Sequence, residues 1–356
     1  MKNKININMP KLSIGGMEKA LIDLLNNSNW VKKYEVNLLV GYVTDKELLN
    51  LLPKEVKVNL LWKHKWSVIG KVVVGIKLYF KLLFPKHYYA SISYAYQHGI
   101  LAKISRKESD NNIIFIHGDI SKRPKEDMKR LQKNVEYEKF ATIVCVSETV
   151  RKSIKQLYPE YKGKIIVANN YIDYENILKN SKEKVKDLKK EEIVTFLCVA
   201  RHDEKPKQLT RIIDATKKLT KEGFLFRVVF IGDGPDHNLY LELKEKYKLD
   251  NLIILGSKIN PYPYFNLADA LVFSSLHEGY GLVLNEARIL DLPIITTNVA
   301  DAKQITDEGF GILCENSKNG VYNGMKKFLQ EGYEVKAKFD PKAFNKKITD
   351  NLDEIL

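Results

Sequence analysis

The sequence lacks the features that mark disulfide-rich, membrane-spanning and dinucleotide-binding proteins. Its 356 residues include 3 cysteines, Cys145, Cys198 and Cys314, which lie in or beside apolar runs without a metal-binding or redox spacing. No apolar run is long and charge-free enough to cross a bilayer, and the first residues show no apolar signal-peptide core. No G-x-G-x-x-G sequence is present, which argues against a nicotinamide-binding domain. We therefore predict a cytoplasmic protein in a reducing compartment.

Acidic residues are missing from one long stretch of this basic chain. The formal net charge is +14, and residues 56–107 contain Lys and Arg but no Asp or Glu, which favours an anionic partner such as a membrane surface. Drawn as a helix, residues 62–84 place Lys71, Lys77 and Lys81 within an arc of roughly 120°, with apolar residues around the rest. This pattern predicts peripheral contact with the inner face of the cell membrane. The alternative is an ordinary domain helix with a lysine edge above a buried face.

The remaining composition is that of a globular protein with room for two domains, since 44% of the residues are hydrophobic. Short apolar runs alternate with amphipathic segments in both halves, as in α/β domains with parallel sheets. A highly charged stretch separates the halves. We predict two Rossmann-like domains over 1–175 and 193–338, a linker over 176–192 and a C-terminal helix over 339–356.

The second half is organised around Ser274–Arg288, which follows an apolar run predicted to be a buried strand and continues into a helical pattern. Such strand-to-helix turns are where open α/β folds bind ligands. Gly279 and Gly281 leave the backbone open, so that amides can approach an anion at the positive end of the helix. Glu278 and Glu286 bracket the turn. A phosphate site with two hydroxyl-binding carboxylates suits a sugar nucleotide.

The context E-G-Y-G-L-V-L-N-E-A, in which seven residues separate Glu278 from Glu286, resembles the E-x7-E motif of retaining glycosyltransferases, in particular the GT-B group called family 4. The resemblance implies the GT-B fold: two Rossmann-like α/β domains with parallel sheets facing a central cleft, and a C-terminal helix that returns toward the first domain. It also implies that Glu286 binds the ribose hydroxyls of the donor and Glu278 the transferred sugar. The residues whose backbone would complete this site are Gly279, Tyr280, Gly281 and Leu282.

Two further loops of the second half resemble donor-binding segments of the same family. Arg201 and a lysine a few residues later resemble the loop in which Arg and Lys neutralise the donor diphosphate. Counting back from the next helix favours Lys207 over Lys205, but both positions stay open. Gly256 and Lys258 follow a later strand, where the backbone of related enzymes meets the base.

The resemblance is weaker in the first half. Gly15 and Gly16 resemble the G-G-x-E loop that opens many family-4 enzymes, where the backbone can approach a diphosphate or the acceptor. The alternative is an ordinary glycine-rich turn. His117 follows a strand, and in related enzymes a histidine here contacts the donor sugar or the reacting centre, although an isolated histidine is more often a surface or core residue. Tyr171 departs from the Gly or Pro expected where the chain leaves the first domain.

The resemblance implies a retaining glycosyltransferase that moves a sugar from a nucleotide-sugar, with a UDP-sugar favoured, to a glycan or lipid-linked acceptor in surface-polysaccharide or glycoconjugate synthesis. No D-x-D sequence occurs, so we expect a metal-independent donor site, no cofactor and no nucleic-acid partner. The alternatives are a non-catalytic basic α/β protein that binds membranes or nucleic acid, and a sugar-nucleotide epimerase of GT-B fold. The residues implied in catalysis are His117, Arg201, Lys207 and Glu278.

Overall fold

The structure is a computed structural model that describes residues 2–13, 15–44 and 46–356. It divides into two compact units, which we call unit 1 and unit 2. Unit 1 comprises the residues up to Ile172 together with Lys342–Leu356, and unit 2 comprises Asp173–Pro341. The segment predicted as a linker, 176–192, is part of unit 2.

Unit 1 is a seven-stranded sheet in which every neighbouring pair of strands is parallel. Its strands are β1 (Lys4–Leu12), β2 (Glu35–Val43), β3 (Lys57–Trp62), β4 (Ala90–Ser93), β5 (Asn112–Ile116), β6 (Thr142–Cys145) and β7 (Lys164–Val167). Its helices are α1 (Gly16–Asn27), α2 (Trp30–Lys33), α3 (Glu47–Asn50), α4 (Val68–Leu83), α5 (Gly99–Glu108), α6 (Lys125–Val135) and α7 (Glu148–Leu157). The strand order is β3-β2-β1-β4-β5-β6-β7.

Strand β1 is an interior strand of this sheet, and both of its faces carry buried side chains. Ile5 and Ile7 point into the apolar core on one face and are fully buried. Asn6 and Asn8 are buried on the other face, where both side-chain amides donate hydrogen bonds to the Glu108 carboxylate, at 2.8 and 3.2 Å. Burial of polar groups without such partners would be costly. The register of the central strand is thus set by apolar and polar contacts together.

Unit 2 has the same design with six parallel strands in the order β10-β9-β8-β11-β12-β13. Its strands are β8 (Val194–Val199), β9 (Phe226–Ile231), β10 (Leu252–Ile254), β11 (Ala270–Phe273), β12 (Ile294–Thr297) and β13 (Gly311–Cys314). Its helices are α8 (Tyr174–Asn180), α9 (Glu204–Lys207), α10 (Thr210–Lys221), α11 (His237–Tyr247), α12 (Tyr262–Phe265), α13 (Leu282–Ile289), α14 (Ala302–Ile305) and α15 (Lys318–Glu331). The central strands β8 and β11 are short apolar runs, as strands covered on both faces require.

The last helix, α16 (Pro341–Asp353), packs on unit 1. The side chain of Asn345 pairs with the backbone of Ile172, accepting from its N–H at 3.2 Å and donating to its carbonyl oxygen at 2.7 Å. Ile348 and Leu352 are buried in the core of unit 1. Two α/β units with wholly parallel sheets confirm the predicted fold class.

Candidate functional site

Two loops at the carboxyl edge of the unit 2 sheet meet through an ion pair. Strands β8 and β11 are neighbours, so the loops that follow them lie side by side. Lys207, at the end of α9, contacts the Glu278 carboxylate through its Nζ atom. Ser275 Oγ donates to the same carboxylate at 2.9 Å. Lys205 is exposed to solvent, so of the two candidate lysines it is Lys207 that the fold brings to Glu278.

The backbone also fixes the position of Lys207. Ser274 Oγ donates to the Lys207 carbonyl oxygen at 2.9 Å, and the Leu276 N–H donates to the Pro206 carbonyl oxygen at 2.8 Å. The Lys207 ammonium lies 5.7 Å from the centre of the Phe273 ring, within the range of a cation–π contact. A cation held in this way is preorganised to meet an anion, because little side-chain entropy remains to be lost.

The turn after Glu278 has the geometry expected of an anion site. Gly281 has a φ of 76°, in the left-handed region that favours glycine, and α13 begins at the next residue, Leu282. Within the described parts of the chain, no side chain caps this helix start. The Leu284 N–H donates to the Gly281 carbonyl oxygen at 3.0 Å, so the amides that could meet a ligand at the positive end of the helix are those of Leu282 and Val283. Gly279 and Tyr280 are buried beneath the turn.

Glu286, the second carboxylate of the motif, is buried on α13. The Tyr262 hydroxyl donates to Glu286 Oε1 at 3.2 Å. The pair links α12 to α13 and orients the carboxylate. Glu278 and Glu286 thus sit in different surroundings, one against a lysine and the other against a tyrosine.

Arg201 follows β8 and is 68% exposed, with Nε 4.0 Å from Asp203 Oδ2. Its guanidinium is therefore available to a ligand at the surface of unit 2. The loop that carries it is anchored by Glu204, whose carboxylate accepts from the Thr210 N–H at 3.1 Å and from the Tyr240 hydroxyl at 3.0 Å. Arg201 and Lys207 lie at the two ends of this anchored loop.

A histidine pair, which sequence reasoning missed, lies beneath the same loop; His202 is buried and His237 is partly exposed. Nδ1 of His202 is 2.8 Å from Nδ1 of His237, and the two rings stack. Burial, and then the proximity of His237, lower the pKa of His202 to about 4, so the ring is neutral at physiological pH. The G-D-G-P turn packs so closely here that a Cβ atom at Gly232 would lie 1.8 Å from the Ala200 carbonyl oxygen. That turn, Gly232–Pro235, was the available signal for His237, which lies two residues beyond it.

Gly256 and Lys258 follow β10. Gly256 has a φ of 68° and open space where a Cβ atom would stand. Lys258 Nζ is 2.5 Å from Asp187 Oδ2, and the Tyr264 hydroxyl donates to Asp187 Oδ1 at 2.6 Å. These two donors lower the pKa of the Asp187 carboxyl. Lys258 was predicted to meet the donor through its backbone, and its ammonium is paired with a carboxylate from the predicted linker.

Two of the predicted residues in unit 1 lie at the start of α1. Gly16 is the first residue of that helix, and a Cβ atom at Gly15 would lie 2.7 Å from a Glu18 carboxylate oxygen. Glu18 is buried and accepts from Ser13 Oγ at 2.7 Å. The glycine pair therefore allows a buried carboxylate to close against the loop, a contact that the sequence did not reveal.

His117 follows β5, and its ring packs against Tyr94 and Phe115, with ring centres 4.6 and 5.9 Å away. Both ring nitrogens are buried without a well-formed hydrogen bond to a described residue. Burial lowers the pKa of His117 to about 3, and the Tyr94 backbone offsets this only in part. His117 is consequently a neutral ring in an aromatic setting, distinct from the charged residues of unit 2.

The three lysines assigned to a membrane surface do not form a free stripe. Lys71 is exposed, but Lys77 Nζ donates to the Leu61 carbonyl oxygen at 2.7 Å. Lys81 is half-buried, and that burial lowers its pKa. Lys71 and Lys77 are exposed residues, although the Lys77 ammonium is held by the backbone, and Lys81 is partly covered; contact of the three lysines with a membrane stays a prediction. Among the described residues, no helix has the length and apolar character needed to cross a membrane.

The described residues contain neither a metal-binding cluster nor an exposed cysteine. No three His, Cys, Asp or Glu side chains among them converge in a way that could hold a metal ion. Cys145, Cys198 and Cys314 are free and buried, and burial raises the pKa of each thiol to about 12. Such thiols are protonated and unreactive at neutral pH.

Comparison with known proteins relates the second half of the sequence to a family. Residues 179–352 match the family model described as glycosyl transferases group 1. This match covers just under half of the chain and identifies its second half as similar to the group 1 glycosyl transferases. It is 27% identical over 291 residues to an uncharacterized glycosyltransferase of Methanocaldococcus jannaschii, across 78% of this chain and 70% of that protein. The family match and the relatives named as glycosyltransferases together identify an enzyme, a transferase of glycosyl groups, and decide against the non-catalytic alternative.

Two further proteins are similar to this glycosyltransferase. It is 30% identical over 219 residues to the N-acetylgalactosamine-N,N'-diacetylbacillosaminyl-diphospho-undecaprenol 4-alpha-N-acetylgalactosaminyltransferase of Campylobacter jejuni, across 59% of this chain and 58% of that enzyme. The crystal structure of Anabaena HepE in complex with UDP matches with a TM-score of 0.73 at 15% identity, covering 99% of this chain and 100% of that one. At that identity the match establishes the fold, which is GT-B.

Proposed function

We propose that this protein is a retaining glycosyltransferase that transfers a sugar from a nucleotide-sugar donor, with a UDP-sugar favoured, to a glycan or lipid-linked acceptor. The observation that carries the proposal is the contact between Lys207 and Glu278 at the carboxyl edge of the unit 2 sheet. It joins a phosphate-binding cation to a hydroxyl-binding carboxylate beside an uncapped helix start. Such a combination matches the two chemically different parts of a nucleotide-sugar.

In this proposal, the donor diphosphate lies against Arg201, Lys207 and the first amides of α13. Arginine offers a planar fork to phosphate oxygens, and lysine offers a compact point charge. Negative charge builds on the leaving nucleoside diphosphate as the glycosidic bond breaks, so fixed cations lower the barrier. Because these side chains can neutralise the diphosphate, we propose that transfer needs neither a metal ion nor another cofactor.

The carboxylates take the hydroxyl groups of the donor. Glu286 would accept hydrogen bonds from the ribose and Glu278 from the transferred sugar, while the backbone of Gly279–Leu282 completes the site. The acceptor oxygen attacks the anomeric carbon from the face that the diphosphate leaves. A departing phosphate oxygen takes the acceptor proton, so that bond formation, bond cleavage and proton transfer balance without a further catalytic carboxylate. His117 would contact the sugar as a neutral ring.

The partner classes follow from the same chemistry and from the relatives. The Campylobacter enzyme is named for a diphospho-undecaprenol acceptor, and the Anabaena structure contains UDP. These names support a UDP-sugar donor and a glycan or lipid-linked acceptor, in surface-polysaccharide or glycoconjugate synthesis. A lipid-linked acceptor would bring the enzyme to the cytoplasmic face of a membrane. We propose no nucleic-acid partner.

The first test is a thermal-shift panel with UDP, GDP, ADP and their common sugar conjugates, with and without EDTA. We expect a nucleotide-selective rise in Tm that survives EDTA, because a ligand that binds only the folded state stabilises it by about 2.7 kcal/mol at a hundred times its Kd. Glu286→Ala should raise the nucleotide Kd about tenfold, the cost of a lost hydrogen bond of about 1.4 kcal/mol. The anomeric configuration of the product, read by NMR, then tests retention.

The matched control for this carboxylate is Glu331→Ala, which changes an exposed glutamate at the end of α15. It should leave the nucleotide-dependent shift unchanged. A folded protein without a shift for any nucleotide would contradict the donor site. A shift that disappears with EDTA would contradict metal independence, and a product of inverted configuration would contradict the retaining mechanism.

A further inference from the structure

Helix α4 turns its apolar side away from the protein. Gly70, Val74 and Leu78 are its buried residues, spaced four apart, and they pack on the sheet of unit 1. Gly70 permits this close packing, because a Cβ atom there would lie 2.8 Å from the Trp62 ring. Positions 70, 74 and 78 fall within the same arc of roughly 120° as the lysines at 71, 77 and 81. The basic arc therefore faces the domain or borders it, and the opposite side of the helix meets solvent.

That opposite side, which we call the outer face of α4, consists of large apolar residues. A globular domain helix normally presents polar residues there. The apolar residues recur at intervals of three and four and are 49% to 75% exposed. They account for eight of the sixteen exposed large hydrophobic residues identified in the structure, while the other eight lie elsewhere along the chain. The outer face comprises Val68, Ile69, Val72, Ile76, Tyr79, Phe80, Leu83 and Phe84.

The charges around this face indicate what covers it. Lys65 and Lys71 are exposed at the start of the helix and Lys86 just beyond its end, and residues 56–107 contain no acidic side chain. A second copy of the chain would bring two such basic regions together, and their repulsion would oppose association. An anionic bilayer instead offers hydrocarbon to the apolar face and phosphate to the lysines around it.

The length of the helix fixes how it meets the bilayer. α4 has 16 residues, or about 24 Å at 1.5 Å per residue, which is less than the ~30 Å hydrocarbon core. Its other side is occupied by the sheet of unit 1, so the helix lies parallel to the membrane surface. Tyr79 and Phe80 place aromatic rings on the outer face, and such side chains favour the interfacial layer.

We infer that the outer face of α4 inserts into the interface of an anionic membrane and docks unit 1 on it, with Lys65, Lys71 and Lys86 contacting lipid headgroups. The inference rests on the proposed function, in which the acceptor can be lipid-linked, and it deepens that function. It assigns the membrane contact to apolar residues and not to the arc of Lys71, Lys77 and Lys81. Binding to vesicles can be measured without turnover. Failure of docking is therefore scored separately from failure of catalysis.

The test is cosedimentation of the full chain with vesicles of phosphatidylcholine alone or of phosphatidylcholine and phosphatidylglycerol in equal parts. We expect binding to the anionic vesicles that weakens with added salt. Ile76→Asp combined with Phe80→Asp should reduce the partition coefficient at least tenfold. Lys71→Glu combined with Lys86→Glu should reduce binding to anionic vesicles and remove its salt dependence.

The matched control is Leu225→Asp combined with Ile259→Asp, which makes the same change at two exposed apolar residues of unit 2 and should leave vesicle binding unchanged. All three variants alter exposed side chains, and their Tm and far-UV circular dichroism establish that they fold. Undiminished binding of the Ile76→Asp, Phe80→Asp variant would overturn the inference, as would equal binding of the unaltered protein to both kinds of vesicle. A third outcome is that the unaltered protein does not bind vesicles but forms an oligomer that the Ile76→Asp, Phe80→Asp variant dissociates. The outer face of α4 would then contact a second copy of the chain, and the inference would be overturned.

Discussion

The predicted site residues at the carboxyl edges of the two sheets differ in charge when each unit is considered by itself. In unit 2 the loops after neighbouring strands are joined by an ion pair between Lys207 and Glu278, with Arg201 exposed on the first of them. In unit 1 the predicted site residue after β5 is His117, a neutral ring that packs against the rings of Tyr94 and Phe115. The same α/β design therefore presents charged site residues after β8 and β11 in unit 2 and a neutral aromatic ring after β5 in unit 1.

This difference agrees with the proposed ligands: the diphosphate would lie against unit 2, and His117 of unit 1 would contact the sugar. A diphosphate requires cations and helix amides that are fixed before it arrives, and these are the features that unit 2 provides. A sugar ring or a neutral acceptor requires apolar surface and neutral polar groups. The charged residues after β8 and β11, which we call the ionic edge, occur at fixed spacing in the sequence. This explains why they carried the resemblance to a family more strongly than the residues of unit 1.

The largest effect is expected from breaking the ionic edge at its cation. Lys207→Ala should lower the transfer rate about 10²–10³-fold, because it removes a fixed charge from the leaving diphosphate. The matched control is Lys205→Ala, two residues away and exposed, which should change the rate less than about twofold, as for surface residues remote from a ligand. Steady-state transfer assays compare the two variants. Equal losses, or a loss confined to Lys205, would contradict the assignment of Lys207.

Arg201 tests whether the two cations of that edge have different roles. Arg201→Ala should lower kcat about 10²-fold with a smaller change in nucleotide affinity, because its exposed guanidinium would act mainly on the charge that develops during transfer. Steady-state kinetics and isothermal titration with the nucleoside diphosphate separate the two effects. A weakened nucleotide Kd at unchanged kcat would mean that Arg201 serves binding alone.

The buried histidines should make both units sensitive to acid. Burial lowers the pKa of His117 to about 3 and that of His202 to about 4, so the unfolded chain binds these protons first as the pH falls. Their stabilising contribution is complete above the unfolded pKa of about 6.5 and is lost as the pH falls toward the folded values. Between pH 7 and 5 each histidine should reduce the free energy of unfolding by up to about 2 kcal/mol.

The variant that checks this is His117→Phe, which keeps a ring in place but cannot be protonated. Denaturant titrations from pH 7 to pH 5 should give a shallower fall in stability than for the unaltered protein. His87→Phe is the control, because His87 is exposed, and it should leave the slope unchanged. An identical slope for all three proteins would exclude His117 as a source of acid sensitivity.

The sequence predicted those parts of the fold whose signal is local. Apolar runs located the strands, and Ser147, a residue type that commonly caps helices, lies at the start of α7 and accepts from the Val150 N–H at 3.2 Å. Pairings between distant residues were not predictable, such as that of Lys258 with Asp187. The orientation of α4 was also missed, since periodicity defines an apolar arc but not whether it faces the core. The contact between Gly70 and Trp62 fixes that choice.

The smallest effect is expected at Lys258, which tests how far the ionic edge extends. Its ammonium is paired with Asp187, and both side chains are partly exposed, so the ion pair should contribute about 0.5 kcal/mol. Because its partners lower the pKa of Asp187, this contribution is present above the unfolded carboxyl pKa and is lost as the pH falls through the folded value. We expect Lys258→Ala to leave the nucleotide Kd within about twofold of the unaltered value, because donor binding would have to compete with Asp187. Asp187→Asn is the companion variant, because it frees the Lys258 ammonium. If it increases nucleotide affinity and adding Lys258→Ala abolishes the increase, Asp187 restrains a donor-binding lysine. The ionic edge would then extend from the loop after β8 to the loop after β10.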